Sequence, residues 1–211
     1  MTAPFFVMGA EKFVAGEVLY RVVNALDLRG YCILDDALPA SLAAALAQEC
    51  AAGAQGFKAA GVGRLQDHQL DTRIRSDDIH WLDAVTAASS AYLELMDALR
   101  GALNRRLFLG LFDYECHYSR YAPGAFYRKH HDAFAGNRNR VLSTVFYLNE
   151  GWCDAEAGEL LLYAEDGEAV LETILPAHNR LVLFLSERFL HEVLPTSRAR
   201  HSIAGWFRIK G

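Results

Sequence analysis

The sequence predicts a mainly β domain: an antiparallel sandwich or jelly roll with helices packed outside one sheet. Two observations carry this. Three amphipathic helical patterns occupy the first half of the chain, and about eight short apolar or alternating runs, separated by turns, occupy the second. With 211 residues, 52% hydrophobic and 22% charged, the chain has the composition of one packed globular domain and not of a disordered or fibrous protein.

From Glu11 to about Leu28, residues Phe13, Val14, Val18, Leu19, Val22, Val23 and Leu26 recur at three- and four-residue steps, as one helix face requires. Gly30 is placed to cap that helix. Tyr31 to Leu34 reads as a short strand, and Pro39, at a first helical position, opens an alanine-rich helix to about Ala52. The Gly-rich stretch Gly53 to Gln69 has weak periodicity and is expected to be a loop leading into a strand around Asp71 to Arg75. A third helical pattern runs from about Ala84 to Leu107. The strands that bury these helices are expected at Glu115–Ala122, Ala125–Asp132, Val141–Asn149, Glu159–Ala164, Ala169–Leu175, Leu181–Leu185, His191–Leu194 and His201–Arg208.

Twenty-six acidic against 21 basic residues leave a net charge of −5, which provides no positive field for a nucleic-acid backbone. Cys32, Cys50, Cys116 and Cys153 match neither a disulfide framework nor a CxxC knuckle and are expected to be reduced core thiols. The N-terminal Pro4, Phe5, Phe6, Val7 and Met8 lack the basic flank of a signal peptide, and no apolar run approaches a membrane span of ~18 residues. The expectation is a cytoplasmic protein with no membrane or nucleic-acid partner.

His130 and Asp132 stand two apart on an expected strand, so both point to one face and can bind one ion. A third ligand from the same sheet, with His191 as the best candidate, would make two imidazoles and one carboxylate. That facial set suits Fe(II) and leaves coordination positions open. On spacing alone, HxD is equally readable as a chance pair of strand residues. Arg200 lies beyond a turn containing Pro195 and shares a strand face with Ser202, Ala204 and Trp206. A buried arginine there either pairs with a protein carboxylate or awaits an anionic ligand.

These residues resemble the iron(II) and 2-oxoglutarate-dependent dioxygenases, and among them the prolyl 4-hydroxylases of the hypoxia-sensor type. Tyr121, Gly124, Tyr127, His130 and Asp132 are similar to that subfamily's YxxGxxYxxHxD. The stretch from Arg140 through Tyr147-Leu148-Asn149 to Trp152 is similar to its RxxxxxxYLNxxW, and Ala157-Gly158-Glu159-Leu160 to its GGxL turn. His191-Glu192-Val193-Leu194-Pro195, with Arg200 and Trp206, resembles its HEVxP…R…W ending, and Ile74 to Trp81 its IRGDxIxW loop. Ala157 and Ser76 stand where the motifs have Gly. The N-terminal helices resemble those of bacterial prolyl hydroxylases that act on elongation factor Tu.

The resemblance implies a single dioxygenase domain over 1–211, with 1–110 as helical support and substrate loop and 111–211 as a jelly-roll core, the cupin-like double-stranded β-helix. It implies that His130, Asp132 and His191 ligate Fe(II), and that Arg200 and Tyr147 hold the distal carboxylate of 2-oxoglutarate. Tyr121 would then reach the cosubstrate nearer the metal, with O2 as the second cosubstrate. Arg75, Asp77, Trp81, Arg140 and Trp206 would receive a protein substrate at its target proline, elongation factor Tu being the candidate, with Asp77 pairing to Arg140 as the Asp71–Trp81 loop closes. His131 is expected to be exposed and His201 to point away from Arg200, while His68, His80, His117 and His178 are read as non-ligands. Three other readings of the same residues stay open: the same chemistry on another side chain or small molecule, a zinc hydrolase, and a jelly-roll binding module with a structural or vestigial metal site.

Overall fold

Residues 16–53, 56–61, 71–133 and 139–210 are described by a computed structural model, and among them the chain builds three α-helices and eleven strands. Helix α1 (Glu17–Arg29) ends where expected: Gly30 adopts φ 80, and its N–H donates to the Leu26 carbonyl. The expected start of this helix at Glu11, the segment Pro4–Met8, most of the stretch Gly53–Gln69 and His68 lie outside the described residues. Helix α2 (Ala40–Ala52) begins one residue later than expected. Pro39 keeps an extended ψ of 131 and is the N-cap, its carbonyl accepting from the Leu42 and Ala43 amides. Helix α3 (Ala87–Leu107) starts where the Thr86 side chain accepts from the Ser89 amide, in a reciprocal cap. Among the described residues no helix is long and apolar enough to cross a membrane.

The strands are β1 (Tyr31–Leu34), β2 (Lys58–Ala59), β3 (Asp78–Trp81), β4 (Asp113–Tyr121), β5 (Tyr127–His130), β6 (Arg140–Tyr147), β7 (Leu160–Tyr163), β8 (Val170–Ile174), β9 (Leu181–Leu185), β10 (His191–Val193) and β11 (Arg200–Arg208). They form a seven-stranded sheet in the order β1-β9-β6-β11-β4-β3-β2 and a four-stranded sheet in the order β5-β10-β7-β8, with antiparallel pairing throughout the named strands. Side-chain alternation divides the larger sheet between two cores. Leu181, Leu183, Phe146, Ile203 and Phe207 pack against the helices, while Val182, Phe184 and Tyr147 join Leu160, Leu162, Ile174 and Val193 of the smaller sheet. Strand β9 is buried on both faces, which is why it reads as an unbroken apolar run.

Four expectations need correction. Asp71–Arg75 is a turn and not a strand, because the Asp71 carboxylate accepts from the Arg73 amide; the strand comes later, at Asp78–Trp81. The strand expected to carry both His130 and Asp132 stops at His130, leaving Asp132 on the bend that follows. Cys153 is an exposed N-cap, whereas the other three cysteines are buried thiols. His131 is half-buried and not exposed.

The GGxL-like turn bears directly on the site. Ala157 takes φ 52 and ψ −147 beside Gly158 at φ 76, and the Gly158 carbonyl accepts from Arg200 Nε at 2.9 Å. A Cβ on Gly158 would come within 2.9 Å of Thr196 Cβ and 3.3 Å of Arg200 Cδ, so only glycine fits there. At Ala157 the methyl is held in a glycine region that costs roughly 1–3 kcal/mol. Ala157→Gly is therefore expected to stabilise the protein by about 1 kcal/mol, a rise in Tm of about 2–4 °C, after allowing for the extra freedom of glycine in the unfolded chain. Thermal denaturation checks this, and an unchanged or lower Tm would show that the turn carries no such strain.

Candidate active site

His130 and His191 are cross-strand partners in β5 and β10, so the smaller sheet sets their imidazoles side by side, with ring centroids 4.2 Å apart. Each ring turns its Nδ1 to a backbone carbonyl two residues earlier: His130 to Arg128 at 2.6 Å and His191 to Phe189 at 3.2 Å. A carbonyl only accepts, so Nδ1 carries a proton and, in the neutral ring, Nε2 presents a lone pair. Both Nε2 atoms face Asp132, at 3.7 and 3.5 Å, and the three ligand-type atoms all lie within 4.8 Å of one another. Burial, then the charge of His191, holds the His130 imidazole down to about 3. Burial alone would raise the Asp132 carboxyl, but the two imidazoles and a hydroxyl outweigh it and hold the group ionised.

That hydroxyl belongs to Ser143, which reaches across from the larger sheet and donates to Asp132 Oδ2 at 2.6 Å. With its proton so used, Ser143 Oγ accepts from Ser186 Oγ at 2.9 Å, and both serines are buried. The serine chain thus orients the carboxylate from outside the trio, as a second shell does for a metal ligand.

At the other end of the same cavity, of about 310 Å³, Arg200 is only 1% exposed. Its Nε donates to the Gly158 carbonyl, and its guanidinium lies 4.8 Å from the Tyr121 ring and 5.0 Å from the Tyr147 ring. Tyr147 sits beside Ser202, fully buried, with its hydroxyl 3.5 Å from Arg200 Nη2. Among the described residues Arg200 has no carboxylate partner. Burial raises both phenols, so Tyr121 and Tyr147 stay protonated and can donate.

Arg75, Trp81, Arg140 and Trp206 also line the cavity. Asp77, expected to pair with Arg140, instead takes Arg75 in a two-point pair at 2.7 and 2.8 Å and is itself buried. Arg140 pairs with Glu115 at 2.9 Å and lies 3.5 Å over the Trp206 ring, while Arg208 holds the other Glu115 oxygen at 2.6 Å. The neighbour in sequence, two residues away, outcompetes the distant one. Arg75 also lies 4.3 Å from the Tyr127 ring, which stacks on His130 at 3.5 Å, so the loop bears on the triad through one aromatic ring. Ser76 tacks this loop down, its hydroxyl accepting from the Phe126 amide at 3.1 Å.

Several of these residues were not singled out by the sequence. Ser143 was placeable on the inward face by its parity with Tyr147, but its target Asp132 lies in the other sheet. Glu115 had no signal beyond its strand, and Ser186, in the turn just past β9, had none. His117 is no part of the triad, as expected, but it lines the cavity, in step with Ser119 and Tyr121 on β4. His201 points away from Arg200, and His80 and His178 lie outside the triad.

Residues 116–208 match the family described as the 2OG-Fe(II) oxygenase superfamily. The chain is 42% identical to a Pseudomonas putida prolyl-4-hydroxylase of known crystal structure, with a TM-score of 0.83 over 92% of this chain and 100% of that one. It is 27% identical to a prolyl hydroxylase solved in complex with a hypoxia inducible factor oxygen degradation domain peptide fragment from Trichoplax adhaerens, with a TM-score of 0.82 over 98% of this chain and 94% of that one. It is also 26% identical over 199 residues to Egl nine homolog 1 of Homo sapiens, covering 90% of this chain and 46% of that protein. The chain spans about half the length of the curated relatives it matches. The two sheets are the double-stranded β-helix of that superfamily, whose enzymes use Fe(II), 2-oxoglutarate and O2. The residues here fit those groups in type: two imidazole lone pairs and a carboxylate for the metal, a buried guanidinium without a carboxylate for the diacid. Identity at 42% over the full length of a solved relative, on a cavity of this chemistry, leads to one conclusion: the chain belongs to the 2OG-Fe(II) oxygenase superfamily and is similar to its prolyl hydroxylases.

Proposed function

We propose that this protein hydroxylates a prolyl residue in a protein substrate, giving 4-hydroxyproline, with elongation factor Tu as the candidate substrate. The observation that carries the reading is the pairing of two sites in one cavity: the His130–Asp132–His191 cluster at one end and the buried, carboxylate-free Arg200 at the other. A hydrolytic metal site has no use for the second. In this reading His130, Asp132 and His191 hold Fe(II), while Arg200 and the Tyr147 hydroxyl hold the distal carboxylate of 2-oxoglutarate. Tyr121 donates nearer the metal. Bound Fe(II) supplies the oxidation, in which O2 and 2-oxoglutarate convert a prolyl C–H to C–OH with release of succinate and CO2.

This chain's own residues bind, orient and exclude water. Arg75, Trp81, Arg140 and Trp206 line the cavity, with Asp77 buried behind Arg75 as its partner; the two arginines held over aromatic rings offer donors to peptide carbonyls and the indoles offer apolar faces to a pyrrolidine ring. Two relatives support the reading: one prolyl hydroxylase was solved in complex with a hypoxia inducible factor oxygen degradation domain peptide fragment from Trichoplax adhaerens, and the Pseudomonas putida protein is a prolyl-4-hydroxylase. The test is to incubate the enzyme with Fe(II), 2-oxoglutarate and bacterial lysate, and separately with purified elongation factor Tu, and to map +16 Da peptides alongside succinate. One succinate per hydroxylated proline is the expected result. Hydroxylation confined to a free amino acid or small molecule would overturn the protein-substrate reading.

A further inference from the structure

Along β11 the cavity-facing side chains are Arg200, Ser202, Ala204 and Trp206, paired in register with Tyr121, Ser119, His117 and Glu115 of β4. Arg200 and Ala204 are four residues apart, about 13 Å along a strand. A five-carbon diacid anchored on the Arg200 guanidinium is too short to span that length. The row formed by Ala204 and His117 therefore faces the part of the cavity left to the primary substrate, and Ala204 puts only a methyl group there.

His117 is 3% exposed and stands between two indoles, its ring centroid 5.2 Å from Trp81 and 5.4 Å from Trp206. Burial, then the nearby Arg75, holds the imidazole down to about 4, so it is neutral at physiological pH. Nδ1 lies 3.2 Å from the Tyr118 carbonyl and 3.1 Å from Ser119 Oγ. In the tautomer that donates from Nδ1 to the Tyr118 carbonyl, Nε2 is an acceptor. Nε2 makes no hydrogen bond with any described residue. Because His117 lines the cavity, this acceptor is open to a ligand that brings the donor.

We infer that His117 determines substrate specificity: its Nε2 accepts a hydrogen bond from the backbone N–H of a residue adjoining the target proline. The prolyl nitrogen has no N–H of its own, so the donor has to come from a neighbour. The two indoles on either side give the segment apolar walls, and the imidazole is the one neutral acceptor between them.

The inference rests on the prolyl-hydroxylase reading, and the experiment separates the two. The probe is the shortest tryptic prolyl peptide from bacterial lysate that the wild-type enzyme converts to its +16 Da product. If the wild type hydroxylates neither these peptides nor any intact protein of the lysate, the functional reading fails and this inference falls with it. With a probe in hand, His117→Met, of similar bulk but with no nitrogen acceptor, is expected to raise the peptide KM about five- to tenfold, the usual worth of one neutral hydrogen bond. N-methylation of the flanking amides, one at a time, completes a double-mutant cycle. One N-methyl group is expected to cost the wild type that same factor and to cost His117→Met nothing further. His117→Gln, which retains an acceptor oxygen, is expected to recover part of the loss and serves as the second variant if His117→Met does not fold. An unchanged KM in a folded His117 variant, or an N-methyl penalty equal in wild type and variant, would overturn the assignment while leaving the prolyl-hydroxylase reading intact.

Discussion

Asp132→Ala is expected to lose metal binding and succinate formation together while keeping the fold. Asp132 is the only carboxylate of the triad, and it lies past the end of β5, so no ladder hydrogen bond depends on its side chain. Its removal leaves the Ser143 hydroxyl without its acceptor in a buried place, which costs about 1–3 kcal/mol of stability, well short of unfolding an ordinary domain. The metal loss should be far larger. Removing an outer-shell partner of a ligand typically costs about 10–100-fold in metal affinity, so Ser143→Ala is expected in that range, Ser186→Ala below it, and Asp132→Ala beyond it. Calorimetric titration with Mn(II) orders the three variants without requiring turnover. Wild-type affinity in Asp132→Ala, or a loss in Ser143→Ala equal to that in Asp132→Ala, would refute the proposed metal centre.

What was legible beforehand follows the period of two. Alternation along β11 put Arg200, Ser202, Ala204 and Trp206 on one face, and the cavity lining contains all four. The same rule brought His130 and Asp132 together although the strand ends between them, because the bend after His130 keeps the carboxylate on the imidazole side. Runs such as Leu181–Leu185 and Tyr31–Leu34 were found at their observed limits, since sheet burial on both faces or on alternate residues leaves an unambiguous apolar pattern.

What escaped the sequence depends on contacts between the sheets and on competition between partners. Ser143 meets Asp132 only because the two sheets face each other, and nothing local in either strand announces that. Asp77 had two possible arginines, and the choice of Arg75 over Arg140 follows from Glu115 of β4 already engaging Arg140 of β6 across the intervening β11. Turn chemistry accounts for the strand misplaced at Asp71–Arg75, where a side-chain carboxylate closes the backbone in a way that apolar periodicity does not register. His117 reads as an ordinary core histidine until its neighbours in β3 and β11 are known to be Trp81 and Ala204.

Arg200→Ala is expected to raise the 2-oxoglutarate concentration needed for half-maximal turnover by about two to four orders of magnitude and to leave Mn(II) affinity close to that of the wild type. A guanidinium 1% exposed, with one carbonyl, one phenol and two aromatic faces for company, is a buried charge without a counter-ion among the described residues. A diacid carboxylate would supply that counter-ion in a two-point geometry, and breaking such a buried pair costs about 3–5 kcal/mol, which is the stated range in affinity. The proposed metal ligands come from β5, the bend after it and β10, and make no contact with Arg200, so the two affinities should separate. Ligand-induced stabilisation gives a readout independent of turnover. In the wild type, 2-oxoglutarate at about a hundred times its Kd stabilises the fold by about 2.7 kcal/mol, whereas Arg200→Ala at the same concentration should show almost none. If the variant is instead protected as well as the wild type, or loses Mn(II) and 2-oxoglutarate in equal measure, Arg200 braces the Ala157–Gly158 turn through its bond to the Gly158 carbonyl, and the anion site lies elsewhere.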